Sequence, residues 1–190
     1  MDGTTEFRLR SSVSVNFSGL IDTGAVRGAF VITPGVNGTF SLYFGSTGFS
    51  FYPTVSYRAS TMYTVMISSL MRAANGTSLF APRSFSFTTE SFKVTNTSPY
   101  DGATGVSRNS SVYVYCNAPI DPATAQNALD ISPSVSGFTF GSSGSDYFYF
   151  SPSTSLVANT LYTVTVSSAL SSVQGDSLSE PYSFSFTAGS

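Results

Sequence analysis

Residues 2–91 recur at 101–190 with a constant offset of 99, and 37 of the 90 aligned pairs are identical. The densest matches set Tyr63-Thr64-Val65 against Tyr162-Thr163-Val164, and Phe85-Ser86-Phe87-Thr88 against Phe184-Ser185-Phe186-Thr187. A repeat of this length fixes the folding unit before any secondary structure is assigned. Each copy has the size of one small domain, so the chain reads as two domains, 1–90 and 91–190. With 41% apolar and 15% aromatic residues, each copy can build a modest core of its own.

Within a copy the hydrophobic period is two. Val13, Val15 and Phe17 alternate with Ser14 and Asn16, and Tyr63, Val65 and Ile67 alternate with Thr64 and Met66. The second copy repeats the pattern with Val112/Val114/Cys116, Tyr162/Val164/Val166 and Phe184/Phe186. Such alternation belongs to antiparallel strands with one face on a core and the other in water. Turn signals punctuate the runs at Asp101-Gly102, Ile120-Asp121-Pro122, Ser132-Pro133, Ser151-Pro152 and Gly175-Asp176. In copy two this leaves strands near 92–97, 111–116, 128–132, 136–140, 147–151, 161–167 and 182–188. The expected fold is all-β, two tandem β-sandwiches of about seven strands each. Residues 122–128 can form one helical turn at most.

Two departures from the repeat matter, and so does the join between the copies. Phe40, Leu42 and Phe44 are spaced as a strand, yet Phe138 and Phe140 lie 98 residues from Phe40 and Leu42. That reads as a one-residue shift, from a bulge or a changed loop, and marks this region for surface differences between copies. Copy two is preceded by Phe92-Lys93-Val94-Thr95-Asn96-Thr97-Ser98-Pro99, whereas copy one starts at Asp2 without an opening strand. The first sandwich is therefore expected to lack that strand, and to be the less stable half. Finally, only Thr89, Glu90, Ser91 and Phe92 separate Thr88 from Lys93, too few for a flexible tether, so a semi-rigid end-to-end pair is expected.

The punctuation itself resembles a known family. Ser98-Pro99-Tyr100-Asp101-Gly102-Ala103-Thr104-Gly105-Val106, Ile120-Asp121-Pro122-Ala123-Thr124, Phe148-Tyr149-Phe150-Ser151-Pro152, Leu161-Tyr162-Thr163-Val164-Thr165-Val166 and Phe184-Ser185-Phe186-Thr187 are similar to the signatures of the bacterial Ig-like domain of S-layer proteins. Copy one departs at Thr23-Gly24, where copy two has Pro122-Ala123. The resemblance implies an Ig-like sandwich repeated along a surface or adhesive protein, with neighbouring repeats of the same protein as partners. It implies no particular ligand.

Composition narrows the chemistry. The chain has no histidine, which excludes Ser-His-Asp and Cys-His catalysis and imidazole metal sites. Its serines have no base to activate them, and no cofactor is expected. Calcium is the one ion with suitable oxygen ligands, from Asp101, Asp121 or Asp176, although these do not cluster in sequence. Asp22 and Asp121, at equivalent turns, read as backbone caps. Only 9% of residues are charged and the net charge is −2, with no basic cluster, so nucleic acid is not an expected partner. No apolar run approaches the ~18 residues of a membrane helix, and Met1 to Thr5 has no signal-peptide character. The chain reads as part of a longer exported polypeptide. The single cysteine, Cys116, sits in phase with Val112 and Val114 as a core residue, so no disulfide braces either copy.

Two groups of surface residues stand out. Asn16, Asn37, Asn75, Asn96 and Asn109 each begin a glycosylation triplet, five candidate attachment points in a glycosylating compartment. Tyr147 and Tyr149 alternate with the core residues Phe148 and Phe150, where copy one has Gly48 and Ser50. They form a candidate contact patch for another domain or a sugar ring, unless a neighbouring loop covers them. The expected role is non-catalytic: a structural or adhesive repeat of an extracellular surface protein, stalk or filament, assembling head to tail. The alternative is a carbohydrate- or surface-binding module of an adhesin.

Overall fold

The computed structural model describes residues 2–43, 45–79 and 81–190, so Phe44 lies outside the described residues. The chain divides into two compact units, residues 1–90 and 91–190. In the first unit the strands are β1 (Thr4–Phe7), β2 (Val13–Asn16), β3 (Phe30–Thr33), β4 (Gly38–Leu42), β5 (Gly48–Pro53), β6 (Met62–Ile67) and β7 (Arg83–Thr89). They form a four-stranded sheet, β1-β7-β6-β3, and a three-stranded sheet, β2-β5-β4. In the second unit β8 (Val94–Ser98), β9 (Ala103–Val106), β10 (Val112–Cys116), β11 (Leu129–Ser132), β12 (Gly137–Gly141), β13 (Tyr147–Pro152), β14 (Leu161–Val166) and β15 (Tyr182–Ala188) form the sheets β12-β13-β10-β8 and β11-β14-β15-β9.

The period-two residues fill the space between the sheets. Val112, Val114, Phe148 and Phe150 from one sheet, and Ile131, Val164, Val166, Phe184 and Phe186 from the other, are all buried. Val13, Phe49, Phe51, Val65 and Phe87 do the same in the first unit. Each fully buried side chain of this size contributes about 1.5–3 kcal/mol by leaving water. Both units are all-β sandwiches, as the alternation requires.

Each unit also has a short strand that the alternation did not reveal. β1 pairs in parallel with β7, and β9 in parallel with β15. An Asp-Gly turn pins both from below. Ser86 N–H donates to Asp2 Oδ1 at 3.0 Å and Ser185 N–H to Asp101 Oδ1 at 2.9 Å, while Gly3 and Gly102 N–H donate to the carbonyls of Ser86 and Ser185. These partners lie 84 residues along the chain, and no local pattern announces such pairing.

The expected register shift at Phe40 is absent. Gly38 pairs with Pro53 and Gly137 with Pro152, so the offset of 99 holds through β4 and β12. Because faces alternate, the one-residue difference puts Phe40 and Phe138 on opposite sides of their sheets. Phe40 lies 5.6 Å from Phe49 and 5.4 Å from Phe51, against the core. Phe138 is 67% exposed on the outer face.

The opening strand distinguishes the units. β8 pairs with β10 through Tyr113–Ser98, Val114–Thr97 and Tyr115–Asn96. Among the described residues β2 has only β5 beside it. The core registers the difference, since Val114 and Cys116 are buried while their counterparts Val15 and Phe17 are half-buried.

Helix is confined to single turns. Asp121 Oδ1 accepts from Ala123 N–H at 2.9 Å and starts α2 (Pro122–Ala125), as Asp22 Oδ1 accepts from Gly24 N–H before a 3-10 turn (Thr23–Ala25) and α1 (Val26–Ala29). The carboxylate satisfies a backbone donor that a helix start leaves open. At the entry to β14, Tyr162 Oη accepts from Val157 N–H at 2.9 Å, and Tyr63 Oη accepts from Arg58 N–H in the first unit. Phenylalanine at 162 would fill the same space and orphan that donor. Tyr162→Phe is expected to cost about 1–2 kcal/mol, read as a lower urea midpoint for the second unit alone.

Candidate functional site

The outer face of the sheet β12-β13-β10-β8 carries a continuous row of aromatic rings. Side chains at odd positions of β10 and β13 and even positions of β12 point away from the core, a consequence of strand alternation. Phe138 and Phe140 lie 6.4 Å apart along β12, and Phe140 stacks on Tyr149 at 5.3 Å. Tyr149 stacks on Tyr113 at 5.1 Å. Tyr113 then meets Tyr115 at 6.3 Å, and Tyr115 meets Tyr147 at 5.6 Å. Phe140 and Tyr147 are 48% and 39% exposed, and the other tyrosines are half-buried by one another. None of the residues in these four strands is charged.

Tyr147 and Tyr149, singled out in the sequence, are thus two of six rings. Tyr113, Tyr115, Phe138 and Phe140 were missed as partners. The signal was present for the first two, since Tyr113 and Tyr115 alternate with Val112 and Val114 just as Tyr147 and Tyr149 alternate with Phe148 and Phe150. The pairing of β10 with β13, which sets Tyr113 opposite Tyr149 and Tyr115 opposite Tyr147, is a long-range fact.

The first unit builds this face differently. Its six equivalent positions are Ser14, Asn16, Thr39, Ser41, Gly48 and Ser50. Here Ser14 Oγ and Ser50 Oγ lie 2.8 Å apart, and Tyr43 Oη reaches Ser50 Oγ at 3.1 Å. Gly48 leaves room for the Tyr43 ring, which a Cβ there would meet at 2.8 Å. Hydrogen bonding to Ser14 and Ser50 holds the Tyr43 phenol below its ordinary value. One unit presents hydroxyls and the other presents rings, over cores that keep Val13/Val112, Phe49/Phe148, Phe51/Phe150, Val65/Val164 and Phe87/Phe186 in common.

The remaining candidates are dispersed. Asn16, Asn37, Asn75, Asn96 and Asn109 are all exposed. Asn75 Oδ1 accepts from Thr77 N–H and Asn109 Oδ1 from Ser155 Oγ, while Asn96 stands opposite Tyr115 on the outer face. Among the described residues no three carboxylate or thiol side chains gather in a metal-binding group. Asp101 and Asp121 are engaged by Ser185 and Ala123 N–H, and Ser172 Oγ lies 3.4 Å from Asp176 Oδ2. Ser56 Oγ and Tyr57 Oη are buried without a hydrogen-bond partner among the described residues, and burial pushes the Tyr57 phenol up.

Cys116 lies buried in β10, and burial, with Asp146 adding to it, pushes its thiol from about 9 up to about 12. A thiol held neutral in the folded state stabilises that state fully below its unfolded pKa, and the contribution fades as pH rises toward 12. Between pH 9 and 11 the second unit is expected to lose roughly 1.4 kcal/mol per pH unit from this group. Cys116→Val, measured by urea unfolding across that range, should flatten the slope.

Fold and surface together define a pair of β-sandwich modules, each with its own core, that differ on their faces. The chain belongs to the bacterial Ig-like domain family, whose model matches residues 1–89 and again residues 90–188. No curated protein matches it. Among solved structures it is similar to the N-terminal part of the bacterial S-layer protein SbsC, at 12% identity and a TM-score of 0.37, covering 97% of this chain and 43% of that one. It is also similar to extracellular cadherin domains 3–6 of protocadherin gamma B2, at 9% identity and a TM-score of 0.29, covering 99% and 46%. The chain therefore spans less than half the length of either structure. Among the described residues no helix is long and apolar enough to cross a membrane.

Proposed function

We propose that this chain is a pair of non-catalytic structural modules from an extracellular surface protein, stalk or filament, acting as spacer or assembly unit with neighbouring repeats as its contacts. The observation that carries the reading is the retention of the same sandwich framework and central core residues in two successive copies while the outer faces change. A catalytic site requires reactive groups brought together. Here the repeated residues include core aromatics such as Phe49/Phe148 and Phe87/Phe186, the Asp22/Asp121 caps, and Tyr63/Tyr162, whose hydroxyls accept backbone N–H bonds, each with a structural task. The sparsely charged, hydroxyl-rich surface and the absence of disulfides suit an exported prokaryotic protein. The five exposed asparagine triplets are attachment points if the host glycosylates.

The test is location on intact producing cells. Antibody raised against this 190-residue chain, used for immunogold labelling with and without protease shaving, should decorate the cell exterior and lose its target on shaving. Label confined to the cytosol would overturn the proposal.

A further inference from the structure

We propose that the aromatic face of the second unit, with the cleft beside it, binds a neutral polysaccharide. This goes beyond the spacer reading and does not depend on it. Three observations carry it. The first is internal to the chain: all six rings stand where the first unit has serine, threonine, asparagine or glycine. The first unit builds the same sandwich without them, so the fold does not require rings at these positions. Six partly exposed aromatics on one face otherwise favour non-specific association.

The second is the cleft. Tyr113 both stacks on Tyr149 and lines an open groove of about 620 Å³, in the range of ligand sites. Asn96, Ser98, Tyr100, Thr104 and Ser111 also line it, and no charged side chain does. Rings and neutral hydrogen-bonding groups therefore form one continuous surface. A pyranose has the matching chemistry, with an apolar C–H face for a ring and a rim of hydroxyls for side chains that both donate and accept. Phe138, with two-thirds of its surface open at the sheet edge, has a ring face free. The neutral lining selects against sulfated or uronic-acid polymers, whose charges would find no partner.

The third is area. The exposed ring surface totals roughly 500 Å², below the roughly 800 Å² per partner of a stable protein interface. That amount suits a few sugar rings, and the rings alone fall short of the area of a stable dimer.

The experiment is affinity electrophoresis of the 190-residue chain in native gels containing hydroxyethylcellulose, galactomannan, amylopectin or dextran, with titration of chitohexaose alongside. The expected result is saturable retardation by at least one of these probes. Replacing rings with their first-unit counterparts (Tyr113→Ser, Phe138→Thr, Phe140→Ser and Tyr149→Ser together) should weaken it tenfold or more while both unfolding transitions persist. If that variant does not fold, the single exposed-edge change Phe138→Thr should still weaken binding severalfold. Tyr43→Phe, on the first unit's face, should change nothing. The proposal is overturned by no retardation with any probe, by equal retardation of the variant, or by retention only on heparin or carboxymethylcellulose. A concentration-dependent dimer abolished by the variant, without polysaccharide binding, also overturns it and makes a second copy the occupant.

Discussion

Alanine at Gly137 is expected to destabilise the second unit by about 2–3 kcal/mol, although it adds one methyl group to a residue at a sheet edge. Gly137 begins β12 opposite Pro152, and the ring of the inward-facing Phe150 lies where a Cβ would stand. The same Cβ would press on the Ser151 carbonyl, which is backbone and cannot swing away. The ring covers the glycine and the glycine admits the ring, so the core residue Phe150 keeps its position only while position 137 has no side chain. Gly38 and Phe51 repeat the arrangement in the first unit. Urea unfolding followed by a probe in each unit should show the second transition move and the first hold. Gly38→Ala should do the reverse. A midpoint for Gly137→Ala within error of the parent would show that the sheet edge yields, and that the fit does not constrain the core.

Adding an opening strand to the first unit is expected to give a gain of similar size in the opposite direction. The sequence of residues 92–100, fused directly before Asp2, places a β8-like strand at the position from which β8 reaches β10. Cross-strand contacts contribute roughly 0.2–1 kcal/mol each, so four pairs amount to about 2 kcal/mol. Fuller burial of Val15 and Phe17 adds to this. For a unit of this size the midpoint of thermal unfolding should rise by about 10 °C, with the second unit's transition unmoved. A scrambled fusion of equal composition is the control. If it stabilises as much, pairing along β2 is not the cause, and the half-burial of Val15 and Phe17 costs the unit little.

Much of this architecture was legible in the sequence because it is local or repeated. The repeat set the unit, and period-two alternation in Val112-Tyr113-Val114-Tyr115-Cys116 and Phe184-Ser185-Phe186 set both the strand and the face that each residue takes. Asp22 and Asp121 reach donors only two residues away, so their capping follows from residue type and turn position. Tyr63 and Tyr162 accept from N–H groups five residues upstream. In each case the interacting groups are near in the chain, and the backbone geometry is nearly determined by composition.

What the tertiary structure decided lies beyond that range. β1 and β9 exist because β7 and β15, some eighty residues later, offer an edge, and nothing in Ala103-Thr104-Gly105-Val106 alternates. Phe138 read as the counterpart of Phe40 because both are phenylalanines in similar surroundings. Register against β13 put it on the opposite face, since a displacement of one residue exchanges inside for outside. The six-ring surface has the same origin. Its members come from three strands, and only the lateral order β12-β13-β10 brings them side by side. In stretches such as Val112–Cys116 and 184–186 the sequence by itself determined which residues face the core, because alternation carries that information within a single strand. Which outward-facing residues become neighbours depends on strand pairing between distant segments, and that was settled only when the two sheets formed.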